Sequence, residues 1–307
     1  MWQKNETSLA DFLLEGLFDE SLAHVFLFSL TMVVFLVGVS GNSLTILLIC
    51  ADPRLHTPMY FLLSQLSFID LMYVITTTPK MASNYLSGSQ YISFAGCGTQ
   101  HFFYLFVGSA ECFLLTVMSY DRYVAICNPL HYTILMNRRV TLMMVAMSWL
   151  GGFTISFSLT ASLMSFPYCA SRKIRHFYCE LPAVVKLVCG NITIFETTVY
   201  ICSVLLLLIP ILLVSASYAF ILRSVIKMRS AGSKRNAFAT CSSHLTVVSL
   251  YFGASIFSYM RPKSQSTTFQ DKVGSVFYSI ITPTLNPLIY TLRNKDVAKA
   301  IRRLLGR

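Results

Sequence analysis

Charged residues are scarce in this chain of 307 residues. Only 12% of its residues are Asp, Glu, Lys or Arg, whereas soluble proteins carry about 25%. At the same time, 55% of the residues are hydrophobic and the mean hydropathy is +0.62. A water-soluble core cannot bury so much apolar surface, but a lipid bilayer can. The composition therefore excludes an ordinary soluble domain and predicts a membrane protein.

Several chemical signatures are missing as well. The six histidines are scattered, and no Cys–His pair has the spacing of a metal site. Neither a catalytic triad nor a glycine-rich phosphate-binding loop is recognisable. These absences disfavour an enzyme. The sequence also lacks two matched halves with interrupted helices, which many transporters have, so a small-molecule transporter is the weaker alternative.

Seven apolar segments are long enough to cross a bilayer, for which an α-helix needs about 20 residues. The sequence therefore predicts an all-α membrane protein, a seven-transmembrane helix bundle over residues 24–292. An N-terminal tail (1–23) precedes it and a C-terminal segment (293–307) follows it. The expected spans are 24–50, 58–79, 94–120, 140–163, 197–222, 237–260 and 273–292.

The distribution of the net charge of +11 predicts the orientation. If the N-terminus is extracellular and the C-terminus cytoplasmic, 15 of the 24 Lys and Arg residues lie on the inner side, as the positive-inside rule requires. This pattern favours lipid headgroups over nucleic acid as a partner. The first 20 residues are polar and acidic, so we expect a signal anchor in the first helix rather than a removable signal peptide. The triplet beginning at Asn5 is a glycosylation acceptor on the expected outer side.

The C-terminal segment has the pattern of an interfacial helix. Basic residues occupy one side, at Lys295, Lys299, Arg302 and Arg303, and apolar residues repeat at helical spacing on the other, at Val297, Ala300, Ile301 and Leu304. Such a pattern predicts a short amphipathic helix on the cytoplasmic surface of the membrane.

An adjacent acid and base, Asp121 and Arg122, close the third apolar segment and precede Tyr123. Charges at the edge of a membrane are costly and tend to be functional, although an Arg at a helix end can simply snorkel to the headgroups. Four further motifs occur in the chain, Pro58 to Leu63, Asn128-Pro129-Leu130, the stretch from Lys234-Arg235 to Cys241-Ser-Ser-His244, and Asn286-Pro287 with Tyr290. In this order they resemble the odorant receptors, a family of rhodopsin-like G-protein-coupled receptors, over nearly the whole chain.

The resemblance implies a receptor for a small volatile odorant that activates a heterotrimeric G protein of the stimulatory, olfactory type and raises cAMP. It implies a place in the plasma membrane of olfactory cilia, and a non-olfactory chemosensory receptor of the same fold is the alternative. Arg122 is expected to be held by Asp121 at rest. The residues expected to serve coupling and activation are Asp121, Arg122, Tyr123, Tyr218, His244, Asn286, Pro287 and Tyr290.

Four cysteines lie on the expected outer side, and four cysteines permit three pairings that residue spacing cannot distinguish. The resemblance implies the pairs Cys97–Cys179 and Cys169–Cys189. The remaining five cysteines lie within or at the edge of the membrane and are expected to be free packing thiols.

Polar residues inside the membrane predict an ion site. Asp70 and Glu111 are carboxylates in apolar segments, and Asn42 and Asn286 lie in two others. In the family that the chain resembles, these positions converge on a pocket for a sodium ion, and carboxylate and amide oxygens suit such a hard cation. The alternative is a protonated carboxyl pair that shares a hydrogen bond. No other cofactor is expected.

Outer-half residues at three- and four-residue spacing are expected to face one ligand pocket, although ordinary helix packing is the alternative. Most of them are apolar or carry a hydroxyl group, as in many small-molecule sites. The candidates are His101, Tyr104, Leu105, Gly108, Ser109, Cys112, Cys202, Ser203, Leu206, Phe252, Ser255, Ile256, Tyr259, Val276 and Ser279.

The absence of certain charged residues from the expected pocket restricts the chemical class of the ligand. No Lys occurs from Val273 to Leu292, which excludes a retinal Schiff base, and no carboxylate occurs between Phe94 and Ala110. A cationic amine would lack an ion-pair partner, so a neutral or weakly polar volatile fits better. Tyr251-Phe252 reverses the order of the aromatic pair that odorant receptors usually show, and we expect the tyrosine hydroxyl to leave the pocket floor.

Overall fold

The computed structural model describes residues 11–17, 23–169, 172–228, 230–259, 268–293 and 295–304. Seven helical rods form the expected bundle, and an eighth helix follows them. The helices are α1 (Ala23–Ala51), α2 (Pro58–Ser87), α3 (Phe94–Cys127), α4 (Arg138–Ser165), α5 (Thr193–Lys227), α6 (Ala231–Tyr259), α7 and α8 (Lys295–Leu304). The rod α7 consists of Thr268–Val276, a π-helical segment Phe277–Ile281, and Thr282–Arg293. Shorter helices are Pro53–Leu55, Pro129–His131, Tyr132–Leu135 and Leu181–Val185.

The seven-helix bundle is confirmed, but most of the helices extend beyond the predicted apolar runs. The 34 residues of α3 are about 51 Å long at 1.5 Å per residue, which exceeds the hydrocarbon thickness of about 30 Å. The prediction ended α2 at Pro79, yet the helix continues to Ser87 and ends at Gly88, whose φ is +65°. The apolar runs therefore mark the lipid-embedded parts, and the helices continue into the headgroup layers.

Within the described residues, α1 to α5 are each long and apolar enough to cross a membrane. On α5, Leu205, Ile209 and Leu212 are exposed on one side, whereas Val214 and Ile221 are buried on the other. Since exposed leucines and isoleucines in such numbers are costly in water, this outer surface of the bundle fits the acyl chains of a bilayer.

The central helix is α3, which contacts α2, α4, α5 and α6. Its residues Val107, Leu114 and Leu115 are fully buried in the main core together with Leu66 of α2 and Val247 of α6. Because α3 is surrounded on several sides, side chains along its whole length point into the bundle.

The junction of α1 and α7 is built around a proline. Pro287 has no N–H, so the carbonyl of Pro283, four residues earlier, has no donor within the helix. Asn42 of α1 supplies one, since its Nδ2 donates to that carbonyl at 2.9 Å. The two helices approach closely enough that a Cβ at Gly41 would lie 3.2 Å from Pro287. The intramembrane Asn42 thus stabilises the interrupted helix.

A small three-stranded sheet lies at the outer end and was not predicted. Its strands are β1 (Phe12–Leu14), β2 (Tyr91–Ile92) and β3 (Lys173–Ile174), in the order β2-β1-β3. β1 pairs antiparallel with β2 and parallel with β3. Phe12 and Leu14 are buried, so this part of the N-terminal tail is packed against the outer loops.

Two disulfides fix the long loop between α4 and α5. Cys97 of α3 is bonded to Cys179 with a Cα–Cα distance of 5.4 Å, and Cys169 is bonded to Cys189 at 5.8 Å. These are the two pairs that the resemblance implied. Gln100 adds a noncovalent link, because the backbone N–H of Cys179 donates to its Oε1 at 2.9 Å.

The helix α8 packs its apolar side against the inner end of the bundle. Val297 and Ala300 are buried, whereas Arg302 is exposed. Arg303 forms an ion pair of 3.0 Å with Asp52, which follows α1. The described side chains therefore have the amphipathic arrangement that the sequence predicts.

Candidate functional site

The outer half of the bundle contains a cavity of about 80 Å³ between α2, α3, α4, α5, α6 and α7. Ten of the fifteen predicted ligand-binding residues line it. On α3 they recur at three- and four-residue steps, as a single face of a helix must. The ten are His101, Tyr104, Leu105, Gly108, Ser109, Cys112, Cys202, Ser203, Leu206 and Ser255.

Four predicted residues do not line this cavity, and the side chain of Tyr259 lies outside the described part of the structure. On α6, Phe252 is buried but turned away, and Ile256 is 40% exposed on the outer surface of the bundle. Each follows a cavity residue by one position, which rotates it by about 100° around the helix. The exact phase of α6 could not be read from its sequence.

On α7, the cavity residue is Tyr278, whereas Val276 and Ser279 do not line the cavity. The π-helical segment Phe277–Ile281 begins directly after Val276, and a π turn inserts an extra residue and shifts the phase of the helix that follows it. Ser279 instead donates to the backbone carbonyl of Ser275 at 2.6 Å. The regular periodicity used for the prediction does not apply here.

Seven lining residues were not predicted. Val199 and Leu207 follow the helical spacing of the predicted α5 residues, so the sequence did carry a signal for them. Leu181 comes from the outer loop, and Leu159 comes from α4, for which no candidate was named. The seven are Tyr73, Leu159, Leu181, Val199, Leu207, Tyr251 and Tyr278.

Tyr251 corrects the expectation that its hydroxyl leaves the pocket floor. The side chain lines the cavity, its hydroxyl donates to the carbonyl of Gly108 at 2.7 Å, and it lies 3.2 Å from the Sγ of Cys112. Gly108 permits the close approach of another tyrosine, because a Cβ there would lie 2.6 Å from the hydroxyl oxygen of Tyr73. The exchanged aromatic order therefore keeps a hydroxyl at the floor but engages it with the protein.

A buried polar network joins the outer loop to α7 above the cavity. Glu180 accepts hydrogen bonds from the hydroxyls of Tyr278 and Ser275, the latter at 2.9 Å. His176 Nε2 lies 3.1 Å from the Glu180 carboxylate, and the hydroxyls of Tyr178 and Tyr278 are 2.8 Å apart. Since Tyr278 also lines the cavity, the network fixes one of its walls.

His176 in this network is neutral. Burial, with the positive charges of Lys272 and Lys186, lowers the pKa of His176 to about 3. The carboxylate of Glu180 acts in the opposite direction, since it favours an imidazolium. The backbone N–H of Tyr178 donates to Nδ1, however, which requires a lone pair there. The imidazole therefore donates from Nε2 and accepts at Nδ1.

Asp, Glu, Lys and Arg are absent from the described residues that line the cavity, so this part of the wall carries no full charge. Leucines and tyrosines make up most of the wall. Burying an unpaired ion in such an environment is very costly. The cavity therefore suits a small, neutral and mainly apolar molecule.

At the inner end, Asp121 and Arg122 contact each other. Arg122 Nε donates to Asp121 Oδ2 at 2.9 Å, and Nη2 contacts the same oxygen. The hydroxyl of Tyr132, in the short helix Tyr132–Leu135, donates to Asp121 Oδ1 at 2.7 Å. Asp121 is 1% exposed and Arg122 is 12% exposed. The acid is thus held from two sides.

The other predicted coupling residues lie near the inner ends of α3, α5, α6 and α7. Tyr218 of α5 and His244 of α6 are joined by a hydrogen bond of 2.7 Å between the hydroxyl and Nδ1. Tyr123 packs in the small apolar cluster of Ile221, Val225 and Cys241. Tyr290 packs against the main core and has a buried hydroxyl with no hydrogen-bond partner among the described residues. Pro287 lies at the α1–α7 junction described above.

The four polar residues of the predicted ion site are all buried. Asn286 Nδ2 donates to both carboxylate oxygens of Asp70, at 3.0 and 3.1 Å. Three oxygens in the group have no hydrogen-bond partner among the described residues, namely Asn42 Oδ1, Glu111 Oε1 and Asn286 Oδ1. The described structure contains no hydrogen bond between Asp70 and Glu111, and no group of three or more His, Cys, Asp or Glu side chains that could hold a metal.

An oxygen-only donor set with unpaired buried oxygens fits a hard monovalent cation, whereas a transition metal would prefer nitrogen or sulfur ligands. The predicted glycosylation site at Asn5 lies outside the described residues.

Comparison with known proteins identifies the family. The sequence profile described as "Olfactory receptor" matches residues 31–307. Human olfactory receptor 2AE1 is 75% identical over 307 residues, which are 100% of this chain and 95% of the relative. Human olfactory receptor 2T1 is 54% identical over 305 residues, 99% of this chain and 83% of the relative. Human olfactory receptor 2M2 is 52% identical over 306 residues, which are 100% of this chain and 88% of the relative. The chain therefore belongs to the olfactory receptor family, whose members are multi-pass membrane receptors of the G-protein-coupled class and not enzymes.

Proposed function

We propose that this protein binds a small, neutral volatile in its outer cavity and, in response, activates a stimulatory G protein of the olfactory type, which raises cAMP. The protein acts in the plasma membrane, with its N-terminus outside and its C-terminus in the cytoplasm, and olfactory cilia are the expected site. The odorant contributes affinity mainly through burial, worth about 25 cal/mol per Å² of apolar surface, and through one or two hydrogen bonds.

The uncharged cavity is the observation that carries this proposal. It lies among six helices that also extend to the inner surface, and its wall is formed by leucines, tyrosines and a few hydroxyl and thiol groups. A ligand there contacts both α3 and α6, so it can favour one relative position of these helices over another. Since a ligand shifts an equilibrium only by its differential affinity, contacts to two helices are what a switch requires.

A panel of volatiles tested on cells with a cAMP reporter examines the binding step. Leu206→Trp fills the cavity, and we expect it to lower the potency of active volatiles by about tenfold or more, since overpacking costs 1–3 kcal/mol. Leu208→Trp is the matched control, because Leu208 is exposed on the lipid-facing side of the same helix. Equal effects of the two variants on potency at equal surface expression would place binding elsewhere.

The inner residues suggest how binding is transmitted. Arg122 contacts Asp121, which supports a role of this contact in restraining the resting form. In the proposed mechanism, activation releases Arg122 as α6 moves outward and opens a cleft for the C-terminal helix of the G protein. Tyr218 and Tyr290 then stabilise the open form. Loss of the Tyr218–His244 hydrogen bond accompanies this movement, because that bond joins α5 to α6.

Arg122→Ala tests the coupling step. We expect the cAMP response to disappear while labelled receptor remains at the cell surface. Arg223→Ala removes the same charge from an exposed position on the inner part of α5 and leaves the response intact. A full response in Arg122→Ala would refute the coupling role, and flux of a labelled solute in vesicles without a cAMP signal would favour a transporter.

The unpaired oxygens around Asp70 support a sodium ion in the resting receptor. Asp70 and Glu111 would supply charge, and Asn42 and Asn286 would supply amide oxygens. The cation would offset the cost of two buried carboxylates. A sodium-dependent decrease of ligand-free cAMP that is lost in Asp70→Asn would agree with this assignment.

A further inference from the structure

His101 has one ring nitrogen engaged and one unengaged. On the outer half of α3 it lines the cavity and is 1% exposed. Its Nδ1 lies 2.8 Å from the hydroxyl oxygen of Thr160 on α4. Its Nε2 is buried and has no hydrogen-bond partner among the described residues. Because buried polar atoms are nearly always paired, this nitrogen is available to a ligand.

The contact with Thr160 determines which proton the imidazole carries. The described structure gives the Thr160 hydroxyl no other hydrogen bond than the one to His101. If the hydroxyl donates to Nδ1, its hydrogen is used and only the N–H at Nε2 remains unpaired. If Nδ1 donates instead, the Thr160 hydrogen and the Nε2 lone pair are both left without partners. The first arrangement leaves fewer buried groups unpaired, so Nε2 carries the hydrogen.

The imidazole is also neutral, since no carboxylate lies within ion-pair distance of His101 in the described part of the chain and an unpaired buried charge is very costly. Two other donors of the cavity wall are engaged with the protein. The hydroxyl of Tyr251 donates to Gly108, and that of Tyr278 donates to Glu180. His101 Nε2–H is thus a hydrogen-bond donor with no acceptor among the described residues.

Ser109 also has a buried polar atom with no hydrogen-bond partner among the described residues, and it lines the same cavity. It follows His101 by eight residues, which places it about 12 Å further along α3 at 1.5 Å per residue. The two groups are therefore too far apart to bind the same small functional group. Between them the wall is formed by Leu105 of α3 and Leu206 of α5, among other residues.

We infer that the cavity selects neutral ligands that carry a carbonyl oxygen, such as ketones, aldehydes or esters, and that this oxygen accepts a hydrogen bond from His101 Nε2–H. This inference rests on the proposed function and names the ligand class of the same cavity. The hydrocarbon part of the ligand packs on Leu105 and Leu206. An alcohol oxygen can also accept this bond, but its own hydrogen is then buried without an acceptor, which costs free energy.

Matched ligands test the inference in cells with the cAMP reporter. A ketone, the corresponding secondary alcohol and the hydrocarbon of the same skeleton are compared for potency. In the wild type, we expect the ketone to be the most potent and the hydrocarbon to be weaker by about tenfold or more, since the donor stays unpaired without a carbonyl. In His101→Phe, the ketone loses this advantage, whereas the potency of the hydrocarbon is unchanged or rises.

Thr160 acts as a positioning residue through the imidazole. In Thr160→Val the donor to Nδ1 is lost, so the ring can adopt either tautomer, and the preference for the ketone over the alcohol shrinks. Thr160→Ser keeps the hydroxyl and restores the preference. Thr154→Val is the matched control on α4, because the exposed Thr154 hydroxyl bonds only to the carbonyl of Leu150. Surface labelling confirms that each variant is present in equal amount.

The outcomes separate the inference from the proposed function. If volatiles activate the wild type but hydrocarbons match their ketones, or if His101→Phe retains the ketone preference, the inference fails and the odorant-receptor function stands. If no volatile of the panel activates surface-expressed wild type, the proposed function fails and the inference falls with it.

Discussion

At the outer end of the bundle, the Cys97–Cys179 disulfide joins a loop to α3, and the network around Glu180 joins it to α7. The Cys169–Cys189 disulfide and a three-stranded sheet connect the outer segments with one another. At the inner end, the described contacts of the coupling residues are noncovalent. Asp121 is held by Arg122 and Tyr132, and Tyr218 is bonded to His244. Among the described residues, disulfides therefore hold the outer end, whereas hydrogen bonds, an ion pair and apolar packing hold the inner end.

This difference suits the two tasks of a receptor. A cavity that is fixed before the ligand arrives loses less conformational freedom on binding, which preserves affinity. A signalling surface needs two arrangements that differ by only a few kcal/mol, so that the differential affinity of a small ligand can shift their populations. Hydrogen bonds worth about 0.5–1.5 kcal/mol each meet that requirement, and disulfides do not.

The largest effect is expected from Cys97→Ser, which removes the disulfide between α3 and the outer loop. The Cys97–Cys179 bond closes a separation of 82 residues, for which the chain-entropy relation gives a stabilisation of about 4.5 kcal/mol. We expect this variant to lose most of its surface expression, measured by labelling an epitope at the N-terminus. Cys169→Ser opens a separation of only 20 residues, corresponding to about 3.3 kcal/mol, so its loss of expression is smaller.

Cys50→Ser provides the control for these cysteine substitutions, since Cys50 is a free, exposed thiol at the inner end of α1. Its surface expression should equal that of the wild type. Normal expression of Cys97→Ser, or a larger loss in Cys169→Ser, would contradict the view that the Cys97–Cys179 disulfide contributes most to the stability of the outer end.

A moderate loss of stability is expected when the pH is lowered, because His176 in the network around Glu180 titrates. The pKa of His176 is lowered to about 3 from a usual value of about 6.5, because burial and the charges of Lys272 and Lys186 disfavour the imidazolium. The folded protein therefore binds fewer protons than the unfolded chain between these values. The contribution of the neutral His176 to the free energy of unfolding is therefore nearly full above pH 6.5. It decreases as the pH falls toward 3, and about 1–2 kcal/mol is lost at pH 5.

Thermal unfolding of the purified receptor in detergent, measured at pH 7 and pH 5, tests this expectation. His176→Gln should be less stable at pH 7 but less sensitive to the decrease in pH, because glutamine does not titrate. Glu180→Gln removes the opposing carboxylate and should make the wild-type decrease steeper. A pH response that is the same in His176→Gln and the wild type would assign the titration to another group.

The contrast between the ends also explains what the sequence could predict. Asp121, Arg122 and Tyr123 are adjacent in the chain, and the apolar runs mark the lipid-embedded helices, so local sequence was enough for these features. The phase of α7 was not predictable in this way, because the π-helical segment that turns Tyr278 into the cavity is not encoded by a simple repeat.

Features made by distant segments were predicted least well. The strand Phe12–Leu14 is a strand only because Tyr91–Ile92 and Lys173–Ile174 lie beside it, and a three-residue apolar stretch carries no local signal for such pairing. Leu181 reaches the cavity wall because the Cys97–Cys179 bond holds its loop over α3. Residues of this kind become assignable only when the long-range contacts are known.

The smallest effect is expected from Tyr132→Phe, which removes a hydrogen bond to Asp121 at the inner end. Burial and the neighbouring Asp121 raise the pKa of Tyr132 above its usual value, so its hydroxyl stays protonated and donates to Asp121 Oδ1 at 2.7 Å. Its loss removes one of the two contacts that hold the acid. Since a hydrogen bond of this kind is worth about 1 kcal/mol, ligand-free cAMP should rise about fivefold while the maximal odorant response is unchanged. Tyr120→Phe is the control, because the ring of Tyr120 contacts Tyr123 and Asp121 keeps both of its partners. An unchanged ligand-free signal in Tyr132→Phe would mean that Arg122 alone restrains Asp121, and the resting state would then depend on a single contact.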